Sequence, residues 1–231
     1  MLILGIETAT VQVGCAIGGH EGVLASTHSA RGKRHAESLA PAIEFTCRQA
    51  RVALSEIGVV AVDLGPGLFT GLRVGIATGK AIAQALRVPM IGVSSLDLLA
   101  FPVRFSPRLI AGVLDARRGE VFSALYRQVP GGLQRLTEPQ VGSPDELASE
   151  LVARGEEVLM VGDGAARYAD GFRHLVGVEL VEELVHPSAR SLVRLAHARA
   201  LREEWVRPWE LSPHYLRRPD AEINWAARDG V

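Results

Sequence analysis

Short apolar runs separated by glycine-containing turns dominate the first part of the chain, and this pattern predicts several strands. Three early runs read as antiparallel strands joined by tight turns. A longer amphipathic stretch then predicts a helix, followed by a fully apolar strand, a second helix and a last short strand. The predicted elements are Leu2–Glu7, Val13–Ile17, Val23–Thr27, a helix from about Ser38 to Leu54, Ile57–Leu64, a helix from about Thr70, and Met90–Val93.

The same plan starts again near Leu109, which indicates an internal duplication. Two mixed sheets flanked by helices, with a cleft between them, would accommodate such a repeat. The second set of predicted elements is Leu109–Leu114, Val121–Tyr126, Leu133–Leu136, a helix at Pro144–Ala153, Val158–Val161 and a helix from about Ser188 to Trp205.

We therefore expect an α/β fold of two ribonuclease H-like lobes, similar to the arrangement in actin, Hsp70 and sugar kinases. The first lobe would span residues 1–104 and the second residues 105–231, with Phe101–Pro107 as the linker. The C-terminal helix and tail either complete the second lobe or return onto the first. Because one fold serves many functions, this expectation does not by itself assign an activity.

The sequence GPGLFTGLRVG (residues 65–75) follows the apolar strand directly. A turn of this kind, at the start of a helix, can aim backbone N–H groups at an anion, so Gly65 and Gly67 are candidate anion contacts. It is not a P-loop, because Leu72 and Arg73 stand where Lys and Ser or Thr are required. Thr70 is predicted to cap the helix that follows.

Gly71, Gly75, Gly79 and Ala83 are spaced four apart and share one face of the predicted helix. Each helical glycine costs roughly 0.5–1 kcal/mol relative to alanine, so close approach of another backbone is expected at this face. The approaching chain is either the protein's own sheet or a helix of a partner. The sequence leaves both readings open.

The amino-acid composition argues against several classes of function and location. Apolar residues make up 48% of the chain and charged residues 22%, with a formal net charge of −1, so no general attraction to nucleic acid is expected. Cys15 and Cys47 lack CxxC spacing and are expected to be reduced core thiols. With no predicted secretion signal and no apolar run of membrane-spanning length, a cytoplasmic location is expected.

The predicted cleft has few groups for catalysis. Glu7 and Asp115 end the first strand of each half, where carboxylates can hold a metal bound to nucleotide phosphates. Alternatively, each carboxylate only caps the turn after its strand. Thr8, beside Glu7, is a further candidate nucleotide contact. No histidine set has metal-ligand spacing, because Leu39 occupies the place of the second His after His35. No catalytic or metal-binding residue is therefore predicted.

The first helix supports a docking role instead. Its apolar stripe carries Leu39 and Ile43, whereas Phe45 and Val52 lie off that stripe. Apolar surface beside the glycine-bearing helix is therefore expected, which is typical of an interface.

Four segments together resemble the bacterial TsaB (YeaZ) family of tRNA threonylcarbamoyladenosine biosynthesis. They are ILGIETAT (residues 3–10), residues 65–75, DARRGEV (115–121) and YLR (215–217). The motifs follow the family's order and span nearly the whole chain. Two positions depart from the family pattern, Glu7 in place of Asp and Leu68 in place of Ser, and both weaken the case for independent nucleotide binding.

The resemblance implies a non-catalytic subunit that binds and activates a TsaD-type threonylcarbamoyl transferase, joined by a TsaE-type ATPase. It also implies a homodimer when the protein is alone, tRNA contact only within the complex, and ATP or ADP with magnesium at the complex interface. Arg117-Arg118 and Arg217-Arg218 are either tRNA phosphate contacts there or solvated charges. The implied interface residues are His35, Leu39, Ile43, Gly71, Leu72, Arg73, Gly75, Ile76, Gly79 and Ala83.

Two other functions remain open at this point. One is a weak magnesium-dependent nucleotide phosphohydrolase that uses Glu7 and Asp115. The other, a metallopeptidase, has no ligand set in the sequence.

Overall fold

The computed structural model describes residues 1–30, 35–183 and 186–217. Two sheets flanked by helices form the body of the protein, so the predicted two-lobe α/β fold is confirmed. None of the helices in these ranges combines the length and apolar character that crossing a membrane requires.

The first sheet has the strand order β3-β2-β1-β4-β5. The strands β1, β2 and β3 pair antiparallel, whereas β4 pairs parallel with both β1 and β5. The elements are β1 (Leu2–Glu7), β2 (Val13–Gly19), β3 (Gly22–Ser29), α1 (His35–Ala50), β4 (Ile57–Asp63), α2 (Phe69–Leu86), β5 (Met90–Val93) and α3 (Ser95–Ala100).

The second sheet repeats this plan with the order β11-β10-β6-β7-β8, and β9 pairs with β7. Its antiparallel strands are again the consecutive ones, and its parallel strands follow helical crossovers. The elements are β6 (Leu109–Arg117), β7 (Glu120–Val129), β8 (Gly132–Arg135), β9 (Gln140–Gly142), α4 (Pro144–Arg154), β10 (Val158–Val161), α5 (Asp163–Arg167), α6 (Ala169–Phe172), β11 (Val178–Leu180) and α7 (Ala189–Leu201).

Alternation along β1 explains how the first sheet is covered on both faces. Leu4 and Ile6 pack with residues of α1 and α2, whereas Ile3 packs with residues of α7 on the opposite face. Although α7 follows the second sheet in sequence, it therefore covers the first. Between the lobes lies α3, whose Leu98 joins the α7 side of the first core and whose Leu96 and Leu99 pack on the second sheet.

Several predicted boundaries were wrong for local reasons. The first helix ends at Ala50 rather than Leu54, because Arg51 adopts a left-handed conformation (φ 55°). The last helix ends at Leu201 rather than near Trp205, and Glu203 just beyond it is left-handed (φ 58°). Leu68, not Thr70, is the N-cap residue of α2.

Candidate functional site

The face of α2 that carries small residues packs on the protein's own first sheet. A Cβ atom on Gly71 would lie 2.1 Å from the carbonyl oxygen of Thr8, and one on Gly75 would lie 2.1 Å from Thr8 Oγ1. Gly79 faces Val62 and Met90 in the same way, and Ala83 is completely buried. The close approach along this strip is therefore made within the chain, by the turn after β1 and by β4 and β5. Docking of a partner on the same helix stays a prediction.

The glycine-rich turn before α2 is also engaged within the chain. The Gly65 N–H donates to Asp63 Oδ1 (2.7 Å), and the Leu68 N–H donates to the carbonyl oxygen of Ala9 (2.7 Å). A Cβ atom on Gly67 would lie 2.2 Å from that same carbonyl oxygen. This turn packs against the turn after β1 and the Gly65 N–H is used within the chain, while anion binding at Gly65 and Gly67 stays a prediction.

A buried carboxyl pair lies where β1 and β4 end. Glu7 and Asp63 are 1% and 2% exposed, and they end adjacent parallel strands. Burial, and then the charge of Asp63, hold the pKa of Glu7 well above its usual range. A hydrogen bond from the Ala9 N–H to Glu7 Oε1 (2.8 Å) acts in the opposite direction and lowers this pKa. Both carboxyl groups therefore favour the protonated state more than exposed ones do.

Asp63 was missed by the sequence reasoning, which placed it inside an apolar strand. Burial raises its pKa to about 7, although hydrogen bonds from the Ser95 hydroxyl (2.6 Å) and the Gly65 N–H act in the opposite direction. Its other oxygen, Oδ2, is buried without a hydrogen-bond partner among the described residues. The sequence did contain a signal for Asp63, because it stands at the end of a predicted strand, as Glu7 does. Parallel strands such as β1 and β4 end at the same edge of a sheet, so their last residues lie close together.

Asp115 has a separate environment in the second lobe. Its Oδ1 accepts from the Arg117 N–H (2.9 Å), its Oδ2 accepts from Arg117 Nη1 (3.0 Å), and Arg167 lies 3.6 Å away. Its own N–H donates to Asp163 Oδ1 (2.9 Å). Glu7 likewise accepts from the turn that follows its strand, so the turn-capping reading holds for both residues. The described part of the chain contains no group of three or more side chains suited to a metal ion.

Five further interface candidates are core residues. Leu39 and Leu72 are 1% exposed, while Ile43 and Ile76 are 6% and 5% exposed, so their main contacts are internal. His35 is 6% exposed and its Nε2 is hydrogen-bonded to the carbonyl oxygen of Thr10 (2.8 Å). These side chains pack inside the first lobe of the single chain, and their contact with a partner stays a prediction. Ile43 also reaches the groove described next.

An exposed apolar surface lies between α1 and α2, to one side of the glycine face. An open groove of about 600 Å³ runs there, with Cys47, Val52, Leu54 and Ile82 among its walls. Leu54 is 38% exposed, and Phe45 on the neighbouring face of α1 is 44% exposed. The expectation of apolar surface beside α2 is thus met by Val52, which lies off the predicted stripe, together with the stripe residue Ile43, whereas Phe45 is exposed outside the groove.

Arg73 is exposed on α2 and is held by the C-terminal segment. Its guanidinium lies 3.9 Å from the centre of the Phe69 ring, and its Nε donates to the Tyr215 hydroxyl (3.1 Å). The Phe69 and Tyr215 rings are 5.1 Å apart, and the His214 N–H donates to the carbonyl oxygen of Leu64 (2.8 Å). Residues 211–217 therefore fasten to the first lobe beside the glycine-rich turn.

The same segment also reaches the second lobe. Arg217 Nη1 donates to the carbonyl oxygen of Ala116 and to Glu120 Oε2, both at 3.0 Å. We call residues 211–217 the C-terminal strap, because it contacts both lobes. Arg218, the other member of the predicted basic pair, lies outside the described residues.

Comparisons with known proteins agree with the motifs. The family described as "tRNA N6-adenosine threonylcarbamoyltransferase" (TsaD) matches residues 23–225. The chain is 28% identical over 227 residues to "tRNA threonylcarbamoyladenosine biosynthesis protein TsaB" of Bacillus subtilis, covering 97% of this chain and 98% of that protein. An uncharacterized protein of Mycobacterium leprae is 37% identical over 226 residues, 96% of this chain, and the chain spans 56% of its length.

Solved structures give the same result. YeaZ from Pseudomonas aeruginosa superposes with a TM-score of 0.82 at 28% identity, covering 93% of this chain and 99% of that one. Full-length correspondence in fold and sequence thus accompanies the family match over most of the chain. The chain belongs to the tRNA N6-adenosine threonylcarbamoyltransferase family and, within it, to the group of the TsaB and YeaZ proteins.

Proposed function

We propose that this protein is an accessory subunit in the synthesis of threonylcarbamoyladenosine in tRNA, and that it binds and activates a TsaD-type transferase. The names of its relatives support a role in this modification. The observation that carries the accessory role is the open apolar groove between α1 and α2.

The groove has the character of an interface core with a charged rim. Cys47, Val52, Leu54 and Ile82 contribute apolar walls, whereas Glu44, Arg48 and Arg51 line its edge. Interfaces commonly combine an apolar centre with a polar border that remains partly solvated. A helix of the transferase, or of a second copy of this chain, is the occupant that we propose.

The carboxylates of this chain support a non-catalytic role. Glu7 caps the turn after β1 and is enclosed with Asp63, while Asp115 is paired with Arg117 and Arg167. This arrangement does not fit a magnesium site built from Glu7 and Asp115, so the phosphohydrolase alternative receives no support. We place ATP or ADP with magnesium at the interface of the assembled complex, where another subunit supplies further ligands.

The proposed assembly has further members. A TsaE-type ATPase joins the pair, tRNA is contacted only in the complete complex, and a homodimer through the same groove forms in the absence of the transferase. A groove that serves both a second copy and the transferase predicts that the two compete.

The test is light scattering coupled to size-exclusion chromatography, on the protein alone and mixed with a TsaD-type transferase, with and without ATP. Ala40 is exposed on α1 and lines the groove, so Ala40→Arg places a charged side chain there at little helical cost. The matched control is Ala153→Arg, at an exposed alanine of α4 in the other lobe.

We expect the wild type and Ala153→Arg to form the complex and Ala40→Arg to remain apart from the transferase. Circular dichroism and thermal unfolding establish that both variants are folded. A folded Ala40→Arg that binds the transferase with wild-type affinity would remove the groove as the docking site.

A further inference from the structure

A second concave site lies on the side of the molecule where α3, α7 and the β7–β8 hairpin meet. Its volume is about 500 Å³, within the range of small-molecule sites. The walls include the guanidinium groups of Arg104, Arg135, Arg199 and Arg202, together with apolar side chains from both lobes. None of these residues takes part in the groove or in the carboxyl pair described above.

Positive charge exceeds negative charge in this pocket. Asp97 is the acidic residue in its lining, and its carboxylate is already bound by Arg135 (2.7 Å) and by the Tyr126 hydroxyl (3.0 Å). Arg199 lies 3.7 Å from the same carboxylate and donates to the carbonyl oxygen of Gly92 (2.7 Å). Asp97 thus serves both Arg135 and Arg199, Arg135 also lies 3.6 Å from the exposed Glu138, and Arg202 uses the exposed Glu204.

Arg104 makes no ion pair with any carboxylate in the described ranges. Burial, and secondarily the charge of Arg194, lower the pKa of the Arg104 guanidinium. A guanidinium without a counter-charge in the wall of a cavity is a place where an anion can supply one.

The Arg104 side chain is also held in place. Its guanidinium carbon lies 4.1 Å from the centre of the Phe101 ring and 4.2 Å from that of Phe105. Its Nη1 donates to the carbonyl oxygen of Phe101 (2.9 Å), which leaves other N–H groups of the guanidinium for a ligand. A cation fixed in this way loses little side-chain entropy on binding an anion.

From the pocket, its excess of arginines and the fixed Arg104, we propose a binding site for a small phosphorylated molecule. Arginine is suited to phosphate because its planar guanidinium offers two parallel donors to two oxygens. Leu133 and Leu195 provide an apolar wall for the remainder of a ligand. The volume admits a molecule of nucleotide size. This site is independent of the proposed accessory function.

The test uses inorganic pyrophosphate and ADP as small probes and a short single-stranded RNA as the alternative source of phosphate. Binding to the full chain is measured by isothermal titration calorimetry at low salt. The variants are Arg104→Gln and Arg202→Gln, both in the cavity wall, and the control is Arg173→Gln, an exposed arginine next to α6 in the second lobe.

Pyrophosphate is expected to bind the wild type and Arg173→Gln alike, and at least about tenfold more weakly to Arg104→Gln, since one charge-assisted contact is lost. Arg202→Gln should also weaken binding, because it removes a cationic side chain from the cavity wall. Arg202 is exposed, so this variant remains informative if Arg104→Gln fails to fold.

Three results would overturn the site. They are no binding of pyrophosphate or ADP to the wild type, equal binding to the wild type and to the folded arginine variants, and dependence on these arginines for RNA alone.

Discussion

The side chain of Thr8 fills the place that a side chain on Gly75 would require: Thr8 Oγ1 lies 2.1 Å from the position of such a Cβ atom. The same hydroxyl donates to the carbonyl oxygen of Gly71 (2.8 Å), so the turn after β1 is joined to the first turns of α2. Glycine is kept in this helix because a neighbouring backbone and side chain occupy the space.

Replacing Gly75 tests this relationship. Gly75→Ala should lower the free energy of unfolding by about 1–3 kcal/mol through overpacking, although alanine favours helix by up to about 1 kcal/mol. Urea denaturation measures the change. The matched control is Gly171→Ala in α6, where an added Cβ atom meets no atom within 4 Å, and which should not be destabilised. An unchanged or raised stability of Gly75→Ala would contradict the packing argument.

The carboxyl pair predicts how stability depends on pH. Because the pKa of Asp63 is raised from 3.8 to about 7 in the folded protein, the folded state keeps a proton that the unfolded chain releases. The free energy of unfolding should therefore fall as pH rises from about 4 to about 7, by up to about 1.4 kcal/mol per pH unit for each such proton. Denaturant titrations across this range measure the slope.

Asp63→Asn should reduce that slope, and the double variant with Glu7→Gln should reduce it further, because the pKa of Glu7 is raised as well. Burial also raises the pKa of Asp163, so part of the slope should remain. Asparagine retains an oxygen that can accept from the Gly65 N–H and Ser95. Asp170→Asn, at an exposed position of α6, is the control and should leave the slope as it is. Equal slopes in the wild type and the double variant would exclude the pair as the source.

Chemical labelling of the two cysteine thiols can report whether the groove is covered by a partner. Cys15 is completely buried, and burial together with nearby Glu7 and Cys47 raises the pKa of its thiol to about 12. Cys47 is partly exposed in the groove wall, although burial raises its pKa too. A maleimide at pH 8.5 should therefore label Cys47 slowly and leave Cys15 unlabelled, as mass spectrometry of digests can show.

Addition of the transferase should protect Cys47 if the groove is the docking site. The unfolded chain, in which both thiols react, provides the control for reagent activity. Unchanged labelling of Cys47 in a complex that light scattering shows to be formed would place the contact elsewhere.

The C-terminal strap predicts local protection against hydrogen exchange. Tyr215→Ala should remove both the Phe69 ring contact and the Arg73 hydrogen bond, so the His214 N–H should exchange faster. Tyr215→Phe keeps the ring and should have a smaller effect. Exchange measured by mass spectrometry on peptides covering residues 211–217 gives the comparison. Equal protection in the wild type and Tyr215→Ala would show that Tyr215 does not hold the strap.

The sequence by itself determined most of the strands, the four longest helices and the repetition of the plan. β1, β5 and β10 have the bounds that their apolar runs predict, because a strand buried on both faces needs a continuous run between two turns. The glycine spacing in α2 likewise indicated a close approach. Local patterns determine these features because they depend on neighbours within a few residues.

Only the tertiary structure decided which segment packs closely on the glycine face of α2 and which distant side chains contact one another. Thr8 faces Gly71, a residue 63 positions away, and Arg73 bonds to Tyr215, 142 positions away. Asp63 joins Glu7 because β1 and β4 pair in parallel, and α7 crosses back to the first sheet. Periodicity shows which face of an element is apolar but carries no information on its partner, since strand pairing and helix docking are decided by contacts between distant segments.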